Sequence, residues 1–404
     1  MRRIHILYFL LFSLILLPWI KIGSASPEIR PEWVLLIIGL LVFHVGKKTI
    51  KSSVAYWSIA LAISFFVSTI YGMTFLNVSV DARDFFELLK PILYFLLYIF
   101  VASTSLSLIE LKRFLKIAIL IFSVAGAISV IQYFAPETIR PILSLFTDSE
   151  RIIIYAQARA TGTMGNANDL GMLNMLGFAL TLYTIKHKLF GSGTSSVVMI
   201  IMALGVLASG SRTAFVCLLL VVIYFFYSEF NLSLKRVVAL AVVFVTIYTV
   251  INLNLDVFQQ STKRYASINN LEEDVAWMSR LNGAIETLSL ISRSIFFGYG
   301  PNKKEFLGSN IDNEYILILY RYGIIGIIVS GGYFFALWRQ SQHTIRQSVP
   351  FLKSYSHFST AILLASMAFA YTAGIYMSFR LMMLLVLFCT IVINIRYDNS
   401  DLNT

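Results

Sequence analysis

The chain has 404 residues, 58% of them hydrophobic and only 13% charged, with a mean hydropathy of +0.77. Such a composition excludes a soluble domain of this length and predicts one integral membrane domain over residues 1–404. The net charge of +11 is dispersed rather than blocked, as in membrane proteins whose loops keep Lys and Arg for orientation, so no nucleic acid partner is expected.

Met1-Arg2-Arg3 and the apolar run to Leu17 have the shape of a signal sequence, with Ala25 as a candidate cleavage position. Further apolar stretches follow at once, so the run is read as an uncleaved first helix. Spans are predicted at 4–21, 32–46, 53–72, 87–102, 114–134, 167–185, 195–209, 213–228, 236–253, 313–338, 358–375 and 379–396. The predicted fold is therefore an all-α polytopic membrane protein with about 12 transmembrane helices. Cys217 and Cys389 each lie inside an apolar run and are read as small core residues, with no disulfide and no metal.

Lys and Arg in the short joints set the orientation, because cytoplasmic loops retain positive charge. Arg2 and Arg3, then Lys47, Lys48 and Lys51, then Lys112, Arg113 and Lys116, then Lys186 and Lys188 mark alternate joints as inside. Lys235 and Arg236, Arg339, Arg346 and Lys353, and finally Arg396 continue the alternation. Both termini are thus expected in the cytoplasm. The outer side carries two longer segments, 135–166 and 254–312, and long ordered loops in a compact protein are usually functional. In the second, Val275, Met278, Leu281, Ile285, Leu288 and Ile295 recur at near-helical spacing, which predicts an amphipathic helix on the outer membrane surface.

Charges near a bilayer are costly, and here they are mostly arginine. Arg151 and Arg159 fall in the first outer loop, Arg212 at a tip between two spans, and Arg280 on the loop helix. Arg321 lies inside the tenth span and Arg380 opens the twelfth. All approach the outer side. Arginine presents a planar fork of donors matched to phosphate oxygens, so the set suggests an anionic, lipid-linked ligand such as a polyprenyl diphosphate.

Three segments stand out from the apolar background. Arg159-Ala-Thr-Gly-Thr-Met-Gly-Asn-Ala-Asn-Asp169 leads into the sixth span, where Asn166, Asn168 and Asp169 can cap the helix and its exposed amides suit sugar hydroxyls or phosphate. Ser209-Gly-Ser-Arg-Thr-Ala214 is a hairpin of small residues around Arg212. The third runs from Gly298-Tyr-Gly-Pro301 through Asp312-Asn-Glu-Tyr315 to Arg321-Tyr-Gly-Ile-Ile-Gly326, where Gly323 and Gly326 can allow close helix packing.

In this order the segments resemble the O-antigen polymerase (Wzy) and O-antigen ligase superfamily of bacterial cell-envelope glycosyltransferases. The resemblance covers roughly residues 159–330. It implies a GT-C-like bundle with a long periplasmic loop between spans 9 and 10, a metal-independent glycosyltransferase without cofactor, and a polyprenyl-diphosphate sugar donor. It also implies the bacterial inner membrane as location, undecaprenyl-diphosphate-linked oligosaccharide as substrate, and a polysaccharide chain-length regulator as partner. Ligase-like members carry a His immediately before the Asn that closes the long loop, where this chain has Asp312 before Asn313. His5, His44, His187, His343 and His357 all fall at predicted cytoplasmic positions, so polymerisation is favoured over ligation.

The expected catalytic residues are Arg212 and Arg280, which with Arg159 would stabilise the departing diphosphate, and Asp312 as base for the acceptor hydroxyl or alternatively a helix cap. Glu314 is the alternate base. Substrate binding is assigned to Arg159, Asn166, Asn168, Asn313, Glu314, Tyr315, Arg321 and Arg380. A flippase for the same lipid-linked sugar is the main rival, but transporters commonly show internal symmetry and midplane charges, and this chain shows neither.

Overall fold

A computed structural model describes residues 3–18, 30–42, 52–146, 159–230, 275–302, 311, 313–345, 349–376 and 378–396. Their helices are α1 (Arg3–Leu16), α2 (Pro31–Val42), α3 (Ser53–Phe75), α4 (Ala82–Ala102), α5 (Leu108–Phe134), α6 (Pro136–Leu143) and α7 (Ala167–Thr184). They continue with α8 (Ser192–Ala208), α9 (Arg212–Phe230), α10 (Val275–Ile291), α11 (Glu314–Ile345), α12 (Pro350–Phe369) and α13 (Phe379–Thr390). Every predicted span but the ninth has a helix over it; the ninth, 236–253, lies outside the described residues.

By length and composition, α3, α4, α5, α9 and α11 contain stretches able to cross a membrane, while α1, α8 and α13 are apolar but shorter. The chain is a multi-pass, all-α membrane protein. Helix starts follow from local chemistry. Ser107 and Glu110 form a reciprocal capping box at α5, with Glu110 N–H to Ser107 Oγ at 3.2 Å and Ser107 N–H to Glu110 Oε2 at 2.9 Å. Ser52 caps α3 by accepting the Ala55 N–H at 3.1 Å.

But for Arg380 and Thr390, α13 is apolar on every side, and each of its residues is buried. An all-round apolar helix belongs in the middle of a bundle, and α13 packs there against α1, α4, α7, α11 and α12. The helices alternate in direction. One end of the bundle collects the starts of α2, α4, α7, α9, α11 and α13 with the finishes of α1, α3, α5, α8 and α12. Bonds across that end fix the pattern: Arg380 donates to Leu17 O, Ala160 N–H to Ala208 O at 2.8 Å, and Glu314 N–H to Ala370 O at 2.9 Å. At the opposite end Lys186 pairs with Glu229 at 3.0 Å, and a two-residue parallel ladder joins Leu106–Ser107 to Ile395–Arg396.

Two departures from the sequence expectations bear on the site. Residues 136–143, read as loop, form the short helix α6 with Pro136 at its first position. The tenth span is not one continuous helix: Gly323 has φ 65° and ψ −167°, breaking α11 two residues after Arg321. The predicted loop helix is present as α10. It turns Gly283, Thr287 and Ile291 inward and leaves Asn282, Ile285, Glu286, Leu288 and Ser289 exposed.

Candidate functional site

The three segments singled out in the sequence meet at the same end of the bundle. Arg159 donates from Nε to Ser209 O at 2.9 Å and from Nη2 to Asn168 Oδ1 at 2.6 Å, joining the first segment to the second. Asn166 caps α7 by accepting the Asn168 N–H at 2.8 Å and the Asp169 N–H at 3.4 Å. Of the three predicted caps, then, Asn166 caps the helix, while the side chains of Asn168 and Asp169 are directed elsewhere. Asn168 orients Arg159, and Asp169 Oδ2 accepts the Ser378 hydroxyl at 2.6 Å. The small residues of the hairpin let α7 approach closely: a Cβ on Gly171 would lie 2.6 Å from Ser209 Oγ and 2.7 Å from Ala214 Cβ.

The turn between α12 and α13, 370–378, is the hub that joins all three. Thr372 pairs with Thr213, next to Arg212 at the start of α9. Ile375 N–H donates to Glu314 Oε2 at 2.7 Å, and Ser378 reaches Asp169. Just beyond the turn, Arg380 donates to Thr163 O at 3.0 Å and to Leu17 O, and lies 3.6 Å from Glu32, itself held by Ser13 Oγ at 3.0 Å. Arg380 is 2% exposed and Glu32 0%, so this pair is a buried tie among α1, α2, α13 and the Thr163 turn.

The remaining predicted residues flank this hub. Asn313 caps α11 through Ile316 N–H at 3.1 Å, and the Tyr315 hydroxyl donates to Met367 O at 2.7 Å. An apolar cavity of about 440 Å³ begins at Glu314 and Tyr315 and runs between α11 and α12 past Phe334, Phe335 and Trp338. Arg321 is buried beside the break in α11. Arg280 lies on α10, and Asp312 is outside the described residues.

Sequence reasoning missed several members of this end. Gln132, a lone polar residue late in a predicted span, accepts the Thr161 and Gly162 N–H groups at 3.0 and 2.7 Å, clamping the loop after Arg159. On α4, Lys90 binds both oxygens of Glu87 at 2.9 and 2.8 Å, and Asp84 Oδ2 accepts the Asp81 N–H at 2.8 Å. Asp84 and Glu87 share the surroundings of Tyr322 with Arg321, and Lys90 shares those of Asp169 with Arg30 and Arg380. Charge inside a span was the available signal, and it was applied only to arginines. His187 and Glu229 lie at the far end, a helix length away; α7 alone, which separates the first segment from Lys186, spans about 27 Å at 1.5 Å per residue.

A helical membrane bundle with buried arginines, carboxylates and capping amides gathered at one end defines a class: a multi-pass membrane protein with a polar cluster at one end of its spans. Residues 197–331 match the family model Wzy_C, described as O-antigen ligase. The match supports the O-antigen ligase and polymerase superfamily, whose members are glycosyltransferase-like enzymes. It runs from α8 into α11 and so takes in Arg212, Arg280 and the Gly298-Tyr-Gly300 and Asn313-Glu314-Tyr315 motifs, while Arg159 lies before it. No curated protein matches the chain.

Proposed function

We propose that the protein is a surface-polysaccharide polymerase that transfers a growing undecaprenyl-diphosphate-linked glycan to a hydroxyl of an incoming lipid-linked repeat unit at the periplasmic face. The observation that carries this is the convergence of the Arg159, Arg212 and Glu314 segments on the 370–378 turn, at the mouth that the basic joints orient outward. The acceptor oxygen attacks the anomeric carbon, the bond from that carbon to the diphosphate oxygen breaks, and undecaprenyl diphosphate leaves with inversion. Negative charge grows on the leaving group, and Arg212 and Arg280 stabilise it with Arg159 alongside; such preorganised stabilisation is often the largest catalytic contribution. The hydroxyl proton passes to Asp312.

Asn166, Asn168, Asn313, Tyr315 and Arg321 line or frame the sugar and phosphate subsites, and the buried Arg380 braces the Thr163 turn beneath them. The apolar cavity beginning at Glu314 and Tyr315 supports a lipid-linked substrate, because a branched hydrocarbon chain can lie along it while the diphosphate stays at the mouth. The bundle crosses the bacterial inner membrane about twelve times and works beside a chain-length regulator. A ligase acting on the same donor is the second possibility, favoured by the description of the matching family.

Deleting the gene separates the two. A lost polymerase leaves one repeat per lipid, whereas a lost ligase leaves polymer accumulating on its carrier. In the deletion strain, Arg212→Lys and Arg280→Lys are expected to shorten the polymer or reduce its amount, because lysine keeps the charge but not the fork. Unchanged length and amount from both variants would remove the arginine clamp from the mechanism.

A further inference from the structure

The break in α11 is filled by the protein's own backbone. Gly323 takes a left-handed φ of 65°, and helix hydrogen bonding lapses there in a stretch otherwise apolar enough to cross a membrane. The segment 295–300, descending from α10, supplies the missing partners. Tyr299 N–H donates to Tyr320 O at 3.0 Å and Gly300 N–H to Arg321 O at 2.8 Å; on the other side of the break, Ile324 N–H donates to Ile295 O at 2.8 Å and Ile325 N–H to Phe296 O at 3.4 Å. Arg321 is therefore held by its own carbonyl at the splice.

Tyr299 binds both neighbours. Its ring stacks on Tyr320 with centroids 4.8 Å apart, and its hydroxyl donates to Leu290 O, in the last turn of α10, at 3.0 Å. Burial raises the Tyr299 phenol above its ordinary range, with Arg293 partly opposing, so it stays protonated and remains a donor. Asn302 Nδ2 donates to the Tyr320 hydroxyl at 3.1 Å, and Ser294 Oγ to Gly298 O at 3.0 Å, which keep the segment in register.

We propose that Tyr299 is a positioning residue that ties the last turn of α10 to the broken turn of α11 and so holds Arg321 in place for a substrate diphosphate. The proposal rests on the transferase reading above and adds to it a residue that fixes one of its cations. Tyr299 touches Tyr320 and Leu290, and so acts through the turn that carries Arg321 and through α10.

The test uses the purified full chain, with inorganic diphosphate as the binding probe and lipid-linked repeat units as substrate. Tyr299→Phe keeps the ring stack and removes only the bond to Leu290. It is expected to weaken diphosphate binding about fivefold and raise KM with little change in kcat, at an unaltered melting temperature. Combined with Arg321→Lys, it should add nothing to the loss from Arg321→Lys alone. Equal affinity in Tyr299→Phe and wild type overturns the tie, as do losses that multiply in the double variant. So does an affinity loss that tracks a fallen melting temperature, which would make Tyr299 merely structural. A wild type that neither binds diphosphate nor lengthens glycan defeats the transferase reading as well, and so is told apart from failure of the tie alone.

Discussion

Asn168 shows how little of a side chain's work its position in a motif declares. It stands in an Asn-x-Asn pair that reads as helix capping or sugar binding, yet it spends its carbonyl oxygen on Arg159, while Asn166 does the capping. One charge-assisted hydrogen bond is worth about 1.5–3 kcal/mol, so Asn168→Ala is expected to lower the turnover of lipid-linked repeats at least about tenfold without unfolding the protein. Turnover at the wild-type rate would show that Arg159 needs no such orientation. Arg380 belongs to a different kind of interaction. Its donors are directed to Glu32, Thr163 O and Leu17 O, all inside the protein. Removing one partner of a buried ion pair strands the other, and Arg380→Ala should destabilise the fold by about 3–5 kcal/mol, read by denaturant titration in detergent. A loss of turnover with full stability would instead assign Arg380 to substrate.

The helices were legible because long apolar runs with polar joints have few other solutions in lipid. Among the described residues, the helix over 136–143 and the break at Gly323 escaped, for identifiable reasons. The first is only eight residues long, so its apolar pair Ile139 and Leu143 covers barely one turn, and the second is a continuous apolar run in sequence whose interruption depends on a segment many residues earlier. Of the two glycines expected to mark close packing, Gly323 instead marks the crossing of segment 295–300. Gly171 is where two helices do press together. A larger residue there must push α7 off the Ser209–Ala214 hairpin, and Gly171→Val should cost about 1–3 kcal/mol and release Arg159 from Ser209 O. Lower thermal stability with reduced turnover is the expected result; an unchanged melting temperature would mean that the hairpin yields easily.

For the molecule as a whole, the sequence carried the residue types, and the three segments it marked meet at one end of the described bundle. It did not carry the 370–378 turn, because Thr372, Ile375 and Ser378 have no pattern of their own and act through one hydroxyl or one backbone N–H each. Nor did it single out Glu87 and Lys90, whose charges cancel within one helix turn and look like an ordinary surface pair until their burial is seen. Among the described residues the charged cluster gathers at one end of the bundle, and that gathering is what the enzyme reading rests on. Reconstituting the purified protein in liposomes with undecaprenyl-diphosphate-linked repeat units and no energy source tests this most directly. Conversion to longer lipid-linked chains, diminished by Arg212→Lys, is the predicted result. Repeat units that cross the bilayer without being lengthened would contradict it.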